Sequence, residues 1–374
     1  MTVIIKLKPG KEKALKNFHP WIFSGALAKI PADLMPGTLV KLASHNNEPL
    51  ALGYYCGQTG IVIRILSFES EVVLDKNFWQ QKFLSALALR RALGFPSKAT
   101  NGYRLIHGEA DGLSGLVCDI FGQSASIILT NPGLAPILDN LRAFLREHLG
   151  IEQIFYENHE AHADFYEHGL KFRADIGQGQ KTGHFLDQRD NRALVKSLAR
   201  HRRVLDAFCY SGGFSVYALA GGAQSVTSVD ISAQALEQAC SHVALNGPFE
   251  GEHRGLSEDC FNYLRKLKTH EFDMIILDPP AFAKNKSAVE KAARGYKDIN
   301  LQALKALAHQ GLLLTFSCSQ HISVDLFKKI IFAAAKDSGR EVSIIHELTQ
   351  GADHPVSIYC PQSSYLKGLA LYVR

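Results

Sequence analysis

From about residue 175 the chain alternates short apolar runs with segments of helical periodicity, and this rhythm confines it to folds built on a parallel sheet. Residues 204–208 read as the first strand, followed by Ser211-Gly212-Gly213 and a helix through Ala220. A second strand over 225–229 ends in Asp230. Ser232 then caps a helix that runs to Asn246. Later strands are expected at 274–277, 312–316, 342–346 and 369–373.

In an open α/β sheet, ligands bind outside the carboxyl ends of the strands. Two signatures fall there. Asp278-Pro279-Pro280 follows Met274-Ile275-Ile276-Leu277, and Thr315-Phe316-Ser317-Cys318-Ser319 follows Leu312-Leu313-Leu314. An acid and a thiol would share one crevice, which suggests base chemistry with a cysteine nucleophile. Cytosine C5 is a poor nucleophile until a thiolate adds to C6; the ring then becomes enamine-like. Cys318 suits the thiolate, and Asp278 suits a partner for N3 and the exocyclic amine. The bland reading of Cys318 is a small buried hydrophobe. Amine-directed methyltransferases offer a rival reading, with an aromatic directly after acid-Pro-Pro. Here Ala281 follows and Phe282 comes one residue late. The turn carries no second cysteine, so any release step must use another group.

The loop after the first strand points to the cofactor. NAD binders need G-x-G-x-x-G for backbone to approach a pyrophosphate. This chain instead has Asp206-Ala207-Phe208-Cys209-Tyr210-Ser211-Gly212-Gly213. Bulky Phe208 and Tyr210 and the acid Asp206 suit a ligand with an ammonium and a sulfonium, which favours S-adenosylmethionine. Asp230 fits the ribose hydroxyls. Asn246 and Asp259 add weaker support, the latter as a partner for the adenine amine.

The other half is organised differently. Residues 1–75 read as strands and turns of a small β-barrel, with a helix from Asp75 to Leu93 leaving it. A region over 98–173 mixes strands at 115–119, 126–129 and 153–156 with one helix over 134–149, a small α+β domain. The division expected is 1–75, 76–173 and 174–374. Lys6, Lys8, Lys11, Lys13 and Lys16 cluster with only Glu12 opposing them, a pattern suited to phosphates or to a solvated face. The net charge of +5 is too mild to decide between them. Seven cysteines without a C-x-x-C pair argue against a disulfide framework or zinc site and favour a cytoplasmic protein. No run approaches a membrane span, and the amino terminus does not read as a secretory signal. His159 and His162 have metal-like spacing but no evident third ligand, so no metal is expected.

The whole chain resembles the bacterial large-subunit rRNA methyltransferase I family. The resemblance rests on His19-Pro20-Trp21-Ile22-Phe23-Ser24-Gly25, Tyr103-Arg104-Leu105-Ile106 with Asp111-Gly112-Leu113, and Lys181-Thr182-Gly183 with Leu186-Asp187-Gln188-Arg189-Asp190. It continues through Arg294-Gly295-Tyr296-Lys297-Asp298-Ile299-Asn300, the Cys318 signature and Ala352-Asp353-His354-Pro355. It implies a class I, Rossmann-like S-adenosylmethionine-dependent methyltransferase domain with an N-terminal PUA β-barrel and a small central α+β domain. The activity implied is formation of 5-methylcytosine in 23S rRNA, with Cys318 as nucleophile and Asp278 as its partner. The cofactor set is then Asp206, Phe208, Tyr210, Ser211, Gly212, Asp230, Ile231, Asn246, Asp259, Asp278 and Gln188. RNA contacts are expected from Lys6, Lys8, Lys11, Lys181, Arg189, Arg294 and Lys297. The partner is 23S rRNA or a precursor of the large ribosomal subunit, with no membrane; a homodimer is compatible. Alternatives are methylation of a base nitrogen, or an rRNA-binding assembly factor without catalysis. The chain departs from the family at Ala281, where Lys is common, at Gln320, where Gly is common, and in a shorter stretch around 157–165.

Overall fold

The computed structural model describes residues 3–57, 60–156, 161–177 and 182–374. Two compact units emerge. One comprises Met1–Tyr166, Ala174–Leu186 and Ala352–Ser363; the other comprises Glu167–Arg173, Asp187–Gly351 and Ser364–Arg374.

The second unit holds a seven-stranded sheet in the order Glu252–Ser257, Ser225–Asp230, Arg203–Ala207, Phe272–Leu277, Leu307–Ser317, Lys367–Val373, Val342–Thr349. The first five strands run parallel, as the sequence rhythm predicts. Lys367–Val373 departs from that expectation: it lies antiparallel to both neighbours. A parallel neighbour needs a crossover, usually a helix. Between Thr349 and Lys367 the chain forms only the short turn Pro361–Ser363, so it returns reversed.

Helices cover the sheet because their apolar positions recur at 3.6-residue spacing. In Val289–Ala306 the buried set is Ala292, Tyr296, Ile299, Asn300, Ala303, Leu304 and Ala306. All but Asn300 join Ile275, Leu277, Leu313 and Leu371 in one core, while Met274, Ile276, Leu314 and Phe316 pack into another with Phe214 and Ala218. Alternating strand residues thus feed opposite cores. Chain order reverses between Arg203–Ala207 and Phe272–Leu277, so their carboxyl ends flank the natural ligand crevice.

The first unit contains two larger sheets. Five strands run in the order Val3–Lys6, Leu39–Ala43, Pro49–Tyr55, Ile61–Ser67, Trp21–Phe23. Their two edges are joined by a single antiparallel bridge, Leu7 with Leu27, rather than by a full ladder. Four more strands, Gly102–His107, Leu116–Phe121, Ser124–Leu129 and Gln153–Tyr156, pack against helices Lys76–Ala92 and Leu138–Leu149. The helix expected over 134–149 begins as a 3-10 segment, Pro132–Ile137, because Pro136 lacks the amide an α-helix would use.

Two arginines organise this unit from within. Arg90, fully buried, donates to both carboxylate oxygens of Asp111 at 2.5 and 2.8 Å and to the Asp353 carbonyl at 3.0 Å. Arg104 grips buried Asp119 bidentately at 2.6 and 2.7 Å, and its amide donates to Asp353 Oδ2 at 2.8 Å. Thr182 Oγ1 donates to the same Asp119 carboxylate at 2.5 Å. Several of the stretches that carry the family resemblance are therefore structural. Among the described residues no helix is long and apolar enough to cross a membrane.

Candidate active site

The first-strand loop is sterically constrained. Phe208 and Tyr210 have φ values of 61° and 49°, left-handed conformations that bulky residues rarely adopt. Gly212 has φ 73°, and a Cβ there would lie 2.6 Å from Ala239 Cβ. Asp230 holds the loop from the next strand, accepting from Tyr210 N at 3.0 Å and from Ser232 N at 2.9 Å. Beside it Ile231 is 72% exposed, an apolar surface next to a carboxylate.

Asp206 lies fully buried beneath this loop. Its Oδ2 accepts from Ser215 Oγ at 2.6 Å, and Ser215 continues to Ser228 and His253 at 2.6 and 2.8 Å. Its Oδ1 is buried without a hydrogen-bond partner. Burial pushes its pKa up to about 7, against the opposing Ser215 hydrogen bond; the charges of Asp278 and Asp230 add to the rise. An orphaned carboxylate oxygen under a strained loop fits a cationic ligand group, which would supply the missing donor. Ser211 and Gly212 are buried within the turn.

The Asp278-Pro279-Pro280 and Thr315–Ser319 signatures meet at the carboxyl ends of the adjacent strands Phe272–Leu277 and Leu307–Ser317. Asp278 N donates to Ala207 O at 3.4 Å, and Asp278 Oδ2 accepts from Gln188 Nε2 at 3.0 Å. Asn191 Nδ2 in turn donates to Gln188 Oε1 at 2.6 Å, fixing that amide. Ser319 ties the loops together: its Oγ accepts from Ala283 N at 3.1 Å and lies 2.9 Å from the Tyr296 hydroxyl. Cys318 is half-buried, with Sγ 3.9 Å from Pro279 O. The thiol thus borders the turn that carries Asp278.

Lys367 escaped the sequence reading. It pairs with Ser317 across the antiparallel ladder, and its buried Nζ donates to Ser319 O at 2.6 Å. Burial pushes its pKa down to about 8, with Cys318 opposing the fall. The signal was a lone cation opening the apolar run Gly368-Leu369-Ala370-Leu371, where the expected strand began two residues late.

Other expected residues divide. Asp259 caps helix Cys260–Lys266 by accepting from Asn262 N. Asn246 is a correction. It ends helix Ala233–Asn246, about 20 Å along the axis from the Asp230 end. Its amide is occupied by Lys171, accepting from N at 2.7 Å and donating to O at 2.8 Å. It is a structural clasp, away from the strand-end acids. Arg189 is a second correction: its side chain is fully buried at the start of helix Arg189–Leu198, so it presents no charge to surface phosphates. Lys6, Lys8 and Lys11 are exposed in the first unit. Arg294 is exposed, 3.5 Å from Glu290, whereas Lys297 pairs with Asp337 at 2.6 Å. Lys181 and His159 lie outside the described residues; His162 pairs with Asp175.

Residues 141–349 match the family model of S-adenosylmethionine-dependent methyltransferases, and residues 5–68 match a PUA-like domain. An Alteromonas mediterranea protein is 36% identical over 395 residues, covering 100% of this chain and 99% of its own. A Klebsiella pneumoniae protein is 40% identical over 390 residues, 98% and 97% of the two chains. Both are named ribosomal RNA large subunit methyltransferase I. The chain belongs to the ribosomal RNA large subunit methyltransferase I family. Its fold recurs in a Streptococcus mutans chain assigned to the SAM-dependent methyltransferases, with TM-score 0.84, 24% identity and 99% and 100% coverage. It also recurs, at TM-score 0.85 and 24% identity over 100% of both chains, in a structure complexed with SAH. This family member is accordingly an S-adenosylmethionine-dependent methyltransferase with an amino-terminal PUA-like domain.

Proposed function

We propose that the protein forms 5-methylcytosine in 23S ribosomal RNA through a covalent adduct between Cys318 and cytosine C6. The observation that carries this reading is the half-buried thiol of Cys318 beside the Asp278 turn, at the carboxyl ends of adjacent strands. The names of the full-length relatives supply the ribosomal substrate.

The cofactor, when bound, supplies an electrophilic methyl group; the residues suited to hold it are Asp206, Phe208, Tyr210, Ser211, Gly212, Asp230, Ile231 and Asp259. The thiolate of Cys318 adds to C6 and makes C5 nucleophilic. Asp278, oriented by Gln188, takes up a proton as the base enters; its carboxyl then donates to N3 and accepts from the exocyclic amine as charge enters the ring. After methylation, a water molecule takes the C5 proton; the C5–H electron pair re-forms the C5–C6 double bond and breaks the C6–S bond, expelling the thiolate. The target base must be unstacked to reach Cys318. We assign residues 1–75 to RNA gripping, 76–173 to the central domain and 174–374 to catalysis. The exposed cations Lys6, Lys8, Lys11 and Arg294 are the proposed phosphate contacts.

Carbon is favoured over nitrogen by the position of Phe282. An amine-directed enzyme needs a free aromatic after acid-Pro-Pro, but Phe282 packs 4.5 Å from the Tyr296 ring and 5.6 Å from that of Phe261. Cys318→Ala is expected to abolish transfer to 23S rRNA while S-adenosylhomocysteine still binds. Full activity in that variant, or a methyl group on a base nitrogen by nucleoside mass spectrometry, would overturn the reading.

A further inference from the structure

A buried amine is hydrogen-bonded to the backbone of the residue that follows the candidate nucleophile. A strand position facing a core is normally apolar, and a buried lysine loses hydration that one carbonyl only partly replaces. Lys367 is 7% exposed and follows Leu366, itself 3% exposed, at the start of an otherwise apolar strand. Its Nζ reaches past Ser317 to the carbonyl of Ser319 at 2.6 Å, bracketing Cys318 between its ladder partner and its hydrogen-bond acceptor.

We propose that Lys367 is a positioning residue that holds the Ser317–Gln320 turn and stabilises Cys318 as a thiolate. The ammonium stays charged, and the proton leaving Sγ passes to solvent. Among the described residues, the titratable groups on the elements packed around the pair include Asp278 at the end of the adjacent strand, Tyr296 on helix Val289–Ala306, and Tyr365, which shares a core cluster with Cys318 and donates to Asp187. Burial raises the Tyr296 hydroxyl above its ordinary value, so it is neutral at physiological pH. A carboxylate at Asp278 repels a thiolate. Lys367 opposes that repulsion, allowing acid and nucleophile to occupy one crevice. The depressed Lys367 pKa limits this support at the alkaline end, because the amine loses its charge near pH 8.

The inference deepens the role proposed for Cys318, but its test needs no methyl transfer. Iodoacetamide labelling of the full-length protein would be followed against pH by mass spectrometry of the peptide that carries Cys318. Lys367→Met is expected to raise the labelling midpoint by about one pH unit and slow labelling at pH 7 about tenfold. Lys367→Arg keeps the wild-type midpoint. Lys367→Gln, which retains a donor but no charge, should shift as Met does. An unchanged midpoint in both neutral variants, each shown to be folded by S-adenosylhomocysteine binding, would overturn the proposal. A shift in Met but not Gln would also overturn it, because the hydrogen bond alone would then suffice. Activity in Cys318→Ala would refute the nucleophile independently of this coupling.

Discussion

Asp119 and Asp206 are both fully buried aspartates on central strands, yet their surroundings differ in kind. Asp119, in the first unit, accepts two hydrogen bonds from Arg104 and one from Thr182. Asp206, in the second, has one serine hydroxyl on one oxygen and nothing on the other. A buried carboxylate held by a bidentate guanidinium is a finished structural element. One left incomplete under a strained loop is poised for a ligand. The same contrast separates the cysteines. Cys209 and Cys260 lie among Asp206, Asp230 and apolar side chains, and burial pushes their thiols upward, Cys260 to about 12. Cys318 precedes Ser319, whose carbonyl accepts from the Lys367 ammonium.

The largest effect that would break this contrast is expected at Asp119. Asp119→Ala strands the Arg104 guanidinium and should destabilise the first unit by about 3–5 kcal/mol. Chemical denaturation would measure it; a loss under 1 kcal/mol would erase the distinction. Asp206→Asn should behave in the opposite way. Its folded pKa stands above its unfolded value, so the wild type loses stability as pH rises from about 4 to 7. Asparagine removes that slope and costs little fold stability at pH 8. S-adenosylhomocysteine affinity should nevertheless fall roughly 10–100-fold, the loss of a hydrogen bond to a charged group. Wild-type affinity should weaken below pH 7, by at most about tenfold per unit, while Asp206→Asn stays flat in calorimetry. The smallest effect is expected from Ser215→Ala. Without that hydroxyl the Asp206 carboxylate is less favoured, so the affinity inflection moves up by less than about one pH unit. A downward move would reverse the assigned cause.

Much of the second unit was legible because its strands are continuous apolar runs ending in acids or a thiol. Met274 to Leu277 and Leu312 to Leu314 announce buried strands whatever surrounds them. Ser232 was readable as a cap because capping is local, and it does accept from Ala235 N. The misses are long-range. Gly102–His107 was not expected as a strand, because Arg104 interrupts its apolar character; its partners are 15 and 249 residues away. Arg189 reads as a surface cation in any local window, and only tertiary packing turns it inward. Asn246 was grouped with the cofactor residues by sequence proximity, although a helix running away from Asp230 carries it to the far edge. Lys367 became visible only when its strand paired antiparallel to Ser317.

The reach of Asp353 back to Arg90 and Arg104 has a consequence for the order of synthesis. Chains emerge from the ribosome at roughly 5–20 residues per second. The backbone amide of Arg104 must therefore wait roughly 10–50 seconds for the Asp353 carboxylate, 249 residues later. During that interval the buried Arg90 guanidinium lacks one carbonyl acceptor and the Arg104 backbone amide lacks its carboxylate. The amino-terminal unit, although translated first, completes only when the last stretch of the chain arrives.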